Sequence, residues 1–211
     1  MSNNPPSSSG PGRPKDLAKR QAVLEAAKRL FLSLGYASTS MDAVATEAGV
    51  SKLTVYSHFN DKETLFSAAV IAKCEEQVPP LFFEWADGVP IEHVLLNIAR
   101  GFNQLINSDE SVNLHRLMVA LGSQDPKLST IFYQAGPQRM LSEMERLLTK
   151  IDQSGALSID KPRNAAEHFF CLIKGAANFR LLYGCDGPQD AEAAEAHVQE
   201  VVGLFVRAYR P

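Results

Sequence analysis

The chain has 211 residues, 45% of them hydrophobic, and a formal net charge of −3. That length holds one domain or a small domain joined to a larger one, and no apolar run reaches the roughly 18 residues needed to cross a bilayer. Cys74, Cys171 and Cys185 are unevenly spaced with no Cys-x-x-Cys pair, which is the usage of a reducing compartment and not of a disulfide framework.

The net charge hides an asymmetry. Residues 1–74 carry nine Lys or Arg against six Asp or Glu, whereas residues 75–211 carry 12 against 18. A basic head on an acidic body suits a head that meets phosphates and a body that does not.

Residues 1–12, rich in Ser, Asn, Pro and Gly, lack the apolar stretch of a signal peptide and are expected to form a disordered tail. A cytoplasmic protein is expected, nucleoid-associated when bound to DNA. Gly12-Arg13-Pro14-Lys15 then offers Arg13 and Lys15 either as a basic arm for the minor groove or as a solvated tail. A helix begins at Asp16, with a buried stripe of Val23, Ala26, Ala27, Leu30, Phe31 and Leu34 at helical spacing. Gly35 stops it, and Tyr36 is placed to fold back on its last turn.

The next stretch carries the most specific signal. Thr39 is placed to cap a second helix, with Asp42 returning the bond as a capping box. Ala45 is small where two helices cross, and Gly49 suits a left-handed turn. Ser51 caps a third helix and Val55 buries it, which completes the spacing of a helix-turn-helix. In such a unit the last helix enters the major groove of double-stranded DNA. Its polar positions, Ser51, Lys52, Thr54, Tyr56, Ser57 and His58, include no acid. Lys52, Leu53 and Thr54 are expected to address bases. Thr39, Ser40, Ser51, Tyr56, His58 and Lys62 complete the expected DNA contacts, with Ser51, Tyr56, His58 and Lys62 on phosphates.

Phe59 plugs the head. Asn60 with Glu63 reads as a cap for a long helix that begins near Asp61, holds Lys62 in its first turn and runs toward Val78. Pro79-Pro80 ends it. Five more helices are expected, over 90–107, 111–122, 126–150, 161–184 and 189–209, separated by Gly-, Pro- and Asp-containing breaks. The expected fold is all-α: a three-helix DNA-binding domain over 13–62 and a helical domain over 63–211.

The last two helices carry the strongest apolar stripes: Phe169, Phe170, Ile173 and Ala177 on one, Val198, Val201, Val202 and Phe205 on the other. They fit either a monomer core or a four-helix dimer interface. The second is preferred, because one short reading helix touches few bases whereas a two-fold dimer reads two half-sites. No phosphate loop, dinucleotide fingerprint or nucleophile elbow occurs. The histidines are scattered, without metal-ligand spacing. No cofactor, metal or catalysis is expected.

Ala48-Gly49-Val50-Ser51-Lys52, Thr54-Val55-Tyr56-Ser57-His58-Phe59, Lys62-Glu63 and Leu65 resemble the TetR family of bacterial transcriptional regulators, over roughly residues 16–66. Leu53 stands where a small residue is often found. Asp125-Pro126-Lys127-Leu128, Phe132 to Pro137 and Gly155-Ala156-Leu157 resemble the AefR-like C-terminal subgroup. The resemblance implies a homodimer that uses the two stripes, and a small-molecule pocket inside the second domain. Trp85, Phe102, Ile106, His115, Met118, Leu121, Phe132, Met140 and Met144 are the candidate lining, with Arg100, His115 and Arg116 available to orient a polar group. The implied function is a repressor released from a palindromic operator by a hydrophobic or amphipathic effector. The alternative is a DNA-bound interaction protein that works through protein partners without an effector.

Overall fold

A computed structural model describes residues 13–86, 88–122, 125–187 and 189–211, without the side chains of residues 13–15 and 121. The tail 1–12 and the side chains of Arg13, Lys15 and Leu121 therefore lie outside the described residues, while the backbone of Arg13 and Lys15 opens the first helix, ahead of its expected start at Asp16. Among the described residues the architecture is all-α.

Helix α1 (Arg13–Ser38) buries Val23, Ala26, Ala27 and Phe31, and breaks at Gly35, where φ is +80°. Leu34, expected on the buried stripe, is instead exposed, because the chain turns away from the core at the next residue. Tyr36 folds back as expected and stacks on Phe31, with Phe66 edge-on to both rings at 5.2 Å.

Helix α2 (Met41–Glu47) is capped by Ser40, not Thr39: the Ala43 amide donates to Ser40 Oγ at 3.0 Å. Thr39 is buried and its hydroxyl donates to the Gly35 carbonyl at 2.9 Å, which repairs the break in α1. At the other end Gly49 takes φ +65°, the Gly49 amide donates to Thr46 and the Val50 amide to Ala45. These two bonds make a Schellman turn, the joint of the helix pair. Helix α3 (Lys52–His58) follows, with Ser51 accepting from the Thr54 amide. Val55 and Phe59 are buried beneath it, and the Arg20 guanidinium lies over the Phe59 ring.

Helix α4 (Lys62–Gln77) is capped by Asp61, one residue later than Asn60: the Thr64 amide donates to its carboxylate at 2.7 Å. Its first half, with Leu65, Phe66, Ala69 and Val70, belongs to the core of the head. A short 3-10 turn (Pro80–Phe83) leads into α5 (Ile91–Asn107), α6 (Asp109–Leu121) and α7 (Pro126–Tyr133). The expected single helix over 126–150 is interrupted. Pro137, which has no amide to donate, lies in a π-helical turn (Gln134–Gln138) between α7 and α8 (Arg139–Gln153). Gly136 in that turn packs against Val70 and Cys74 of α4.

Helix α9 (Pro162–Tyr183) bends at Gly175, where the freed carbonyl of Ile173 accepts from His197 Nε2 at 3.0 Å. Helix α10 (Ala191–Ala208) completes the second core, which α5, α8, α9 and α10 share. Helix α5 approaches the end of α4 so closely at Gly101 that a Cβ there would stand 2.1 Å from the Gln77 carbonyl oxygen.

The stripes expected at a dimer interface face inward. Phe169, Phe170, Ile173, Val198, Val201, Val202 and Phe205 are buried within the single chain, and Ala177 is partly buried. Periodicity identified buried faces correctly, but α5 and α8 supply what covers them. The large apolar side chains that α9 and α10 leave outside are Leu172, Phe179, Tyr183 and Leu204.

Candidate DNA-reading face and cavity

The Schellman turn and the Ser51 cap hold α3 out from the head with its first turn exposed. Lys52 and Leu53 project outward, Leu53 with 80% of its surface free. Thr54 is half-buried and its hydroxyl lies 2.8 Å from Ser51 Oγ, so these two hydroxyls satisfy each other in the free protein. Ser40, Lys52, Tyr56 and Lys62 surround one open depression, together with Asp42, Asn60 and Asp61. The structure thus brings together residues from α2, α3 and α4 that the sequence places far apart.

The charges on this face differ in their state. Lys52 is paired with Asp42 at 2.8 Å, and that hydrogen-bonded carboxylate raises the pKa of its ammonium. Asp61 is occupied as a helix cap, which lowers its pKa. Lys62 has its ammonium 4.2 Å from the centre of the Tyr36 ring, and burial lowers its pKa. It is a partly desolvated cation with no carboxylate in salt-bridge range among the described residues. Its internal hydrogen bond is a long one, to the Ala37 carbonyl at 3.4 Å, so an incoming phosphate competes with no carboxylate.

Two expected contacts are withdrawn from solvent, although Thr39 borders the depression. Thr39 is buried, as described above. The His58 side chain is only 9% exposed and its Nε2 lies 3.3 Å from the carboxylate of Asp16 on α1. Its helical position is on the inner side, which a polar letter in the sequence does not reveal.

A second feature lies between the head and the rest of the chain. A cavity of about 480 Å³ is walled by α1 and α4 on one side and by α5 to α9 on the other. Ligand pockets commonly fall in the range of roughly 300–1,000 Å³. Of the candidate ligand residues, Phe102, Ile106, His115, Phe132 and Met140 border it. Trp85, Met118 and Met144 do not. The Trp85 indole donates to the Val89 carbonyl at 2.9 Å, Met144 is sealed in the second core, and Met118 packs in the core of the head. Arg100 is held by Glu195, whose carboxyl it draws down to about 2, and Arg116 donates to the Leu181 and Leu182 carbonyls, so neither faces the cavity.

The sequence reading missed Lys28, Lys73 and Lys174 on the wall. A signal was present. Lys28 lies within the buried run from Val23 to Phe31, and Lys174 stands four residues after Phe170, so each is a charge set on an apolar stripe. Cys74 also lines the cavity, and burial pushes its thiol up to about 11. In the folded protein at neutral pH, iodoacetamide is expected to label the exposed Cys171 and Cys185 and to spare Cys74. Mass mapping of the alkylated peptides checks this, and rapid labelling of Cys74 would contradict it.

Two short helices joined by a tight turn, the second presented with its first turn exposed, make a helix-turn-helix, the unit of a DNA-binding transcriptional regulator. The chain belongs to the TetR family of bacterial regulatory proteins, whose N-terminal domain matches residues 23–69, while residues 93–211 match the AefR-like transcriptional repressor C-terminal domain. It is similar to a TetR-family regulator from Mesorhizobium loti, with 29% identity, a TM-score of 0.74, and coverage of 95% of this chain and 100% of the other. The flavonoid-responsive regulator FrrA is 30% identical with a TM-score of 0.68, over 92% of this chain and 97% of its own. Among curated proteins, the helix-turn-helix regulator YdeS of Bacillus subtilis (strain 168) is 27% identical over 195 residues, 90% of this chain and 89% of YdeS. These relatives are regulators, not enzymes. No helix among the described residues is long and apolar enough to cross a membrane.

Proposed function

We propose that the protein is a homodimeric repressor that binds a palindromic operator and leaves it when a small apolar or amphipathic molecule enters the cavity. One observation carries this reading: the cavity wall includes Phe31 of α1, the helix against which the reading helix packs, and Phe66 and Val70 of α4, which share the core of the head with Val55 and Phe59. A ligand that fits one spacing of the two heads better than the other shifts the population toward that spacing. Residues 13–62 then act as the reader and residues 63–211 as sensor and dimer scaffold.

In this reading Lys52, Leu53 and Thr54 face bases, while Ser40, Ser51, Tyr56 and Lys62 fix register on phosphates. Arg13 and Lys15 extend the contact into the minor groove. The outward faces of α9 and α10, with Leu172, Phe179, Tyr183 and Leu204, take the dimer contact, since exposed apolar patches of this kind mark interaction surfaces. Flat polyphenols belong in a first effector screen, because FrrA is named as flavonoid-responsive.

Sequences selected from random DNA are expected to be palindromes with half-site centres about 34–36 Å apart, or a multiple of that. Fluorescence anisotropy on the selected operator should then show release by compounds that raise the thermal stability of the free protein. Palindromic binding that no such compound weakens would favour the DNA-bound interaction protein instead.

A further inference from the structure

The cavity wall is apolar apart from a few charged side chains, and most of these are already satisfied. Lys28 of α1 pairs with Glu25 at 2.9 Å and with Glu76. Lys73 of α4 pairs with Glu110 at 2.9 Å, and Glu167 of α9 is held by Arg163 at 3.3 Å. Lys174 differs. No carboxylate lies within salt-bridge distance of it among the described residues, and its ammonium stands 5.7 Å from the centre of the Phe179 ring.

His115 shares this part of the wall. Its Nδ1 donates to the Ser111 carbonyl at 3.1 Å, and its ring meets Phe132 edge-on. Burial lowers its pKa, and the nearby Lys174 charge acts in the same direction. The neutral ring, with its proton on Nδ1, presents Nε2 as an acceptor. A cation without a counter-ion at the edge of an apolar chamber offers an anionic group a charge-assisted hydrogen bond without displacing a carboxylate.

We propose that the cavity selects organic acids: a carboxylate on Lys174, with an aliphatic or aromatic body against Phe102, Phe132, Phe170 and Met140. A hydroxyl beside the carboxylate would find its acceptor at His115 Nε2. This inference rests on the effector reading above. It narrows that reading to one ligand class by one residue, and it leaves Lys28 and Lys73 to their protein partners.

The test uses matched pairs of acid and primary alcohol on the same skeleton, from hexanoic to dodecanoic, with 1-naphthoic acid and 1-naphthalenemethanol as the aromatic pair. Binding to the full chain is measured by calorimetry. Each acid that fits is expected to bind at least about tenfold more tightly than its alcohol, as a charge-assisted hydrogen bond implies. Lys174→Met should abolish that difference by weakening the acids at least about tenfold, with the Tm of the free protein checked to show that the fold is kept. Lys174→Gln serves as a second variant should the Met form misfold. Equal binding of acid and alcohol by the wild-type chain, or a preference that survives both substitutions, overturns the assignment to Lys174 and leaves the effector reading standing. Failure of every acid and alcohol to bind overturns both.

Discussion

Gly101→Ala is expected to destabilise the protein by about 3 kcal/mol, lowering its Tm by roughly 6–12 °C. Two effects oppose each other here, and their sizes decide the outcome. Gly101 lies inside α5, so intrinsic helix propensity favours alanine by about 1 kcal/mol. Against this, the new Cβ would stand 2.1 Å from the Gln77 carbonyl oxygen and 3.1 Å from its carbon. Both belong to backbone at the end of α4, where the chain is pinned by buried Val78 and the following Pro79. Separating α4 from α5 would open the second core along its length. Thermal denaturation monitored by circular dichroism decides between them, and an unchanged or raised Tm would mean that the two helices do not meet at Gly101.

Lys62→Ala is expected to weaken operator binding by about tenfold per head and to reduce the salt slope by about one per head. The reason lies in the state of this lysine before DNA arrives. Its ammonium is partly buried above Tyr36 and donates a long bond to the Ala37 carbonyl, with no carboxylate to release among the described residues, so a phosphate adds more than it displaces. Lys52→Ala should cost less, because Lys52 must first leave Asp42. The Lys62→Ala loss should be similar across operator sequences, as for a phosphate contact, whereas the Lys52→Ala loss should vary with the base pair that Lys52 faces. Binding isotherms at several salt concentrations check this. An unchanged slope for Lys62→Ala would remove it from the phosphate contacts.

The helix-turn-helix was legible because its constraints are local. Ala45, Gly49, Val50, Ser51 and Val55 act through bonds that span at most five residues, so spacing alone identifies the joint. Both cap errors were shifts of a single residue between adjacent polar side chains. Thr39 and Asn60 could each accept an amide bond. Ser40 and Asp61 do so instead, and Thr39 is turned inward by the break at Gly35, which is a tertiary effect. His58 failed for the same reason, since its inward direction follows from how α3 rests on α1.

The second domain was less legible. The stripes on α9 and α10 showed which faces are buried but not what buries them, and a stripe of phenylalanine and valine fits α5 and α8 as well as it fits a second copy. The cavity was harder still. Met144 and Met140 are neighbours by helical spacing, yet only Met140 borders the void. Periodicity separates core from solvent but cannot separate core from cavity. The wall lysines could only be found by asking why a charge interrupts an apolar stripe.

The Lys52–Asp42 pair also bears on how quickly an operator is found. Attachment to random DNA is almost wholly electrostatic, and it grows with each cation free to displace counter-ions. A reading helix whose exposed lysine carries its own counter-charge holds such DNA weakly. Each visit to an irrelevant stretch of the genome is therefore short. If Lys52 meets DNA as proposed, Asp42 would act as a brake on indiscriminate sticking, shortening the time spent on wrong sequences and leaving more of the protein free to reach the right one.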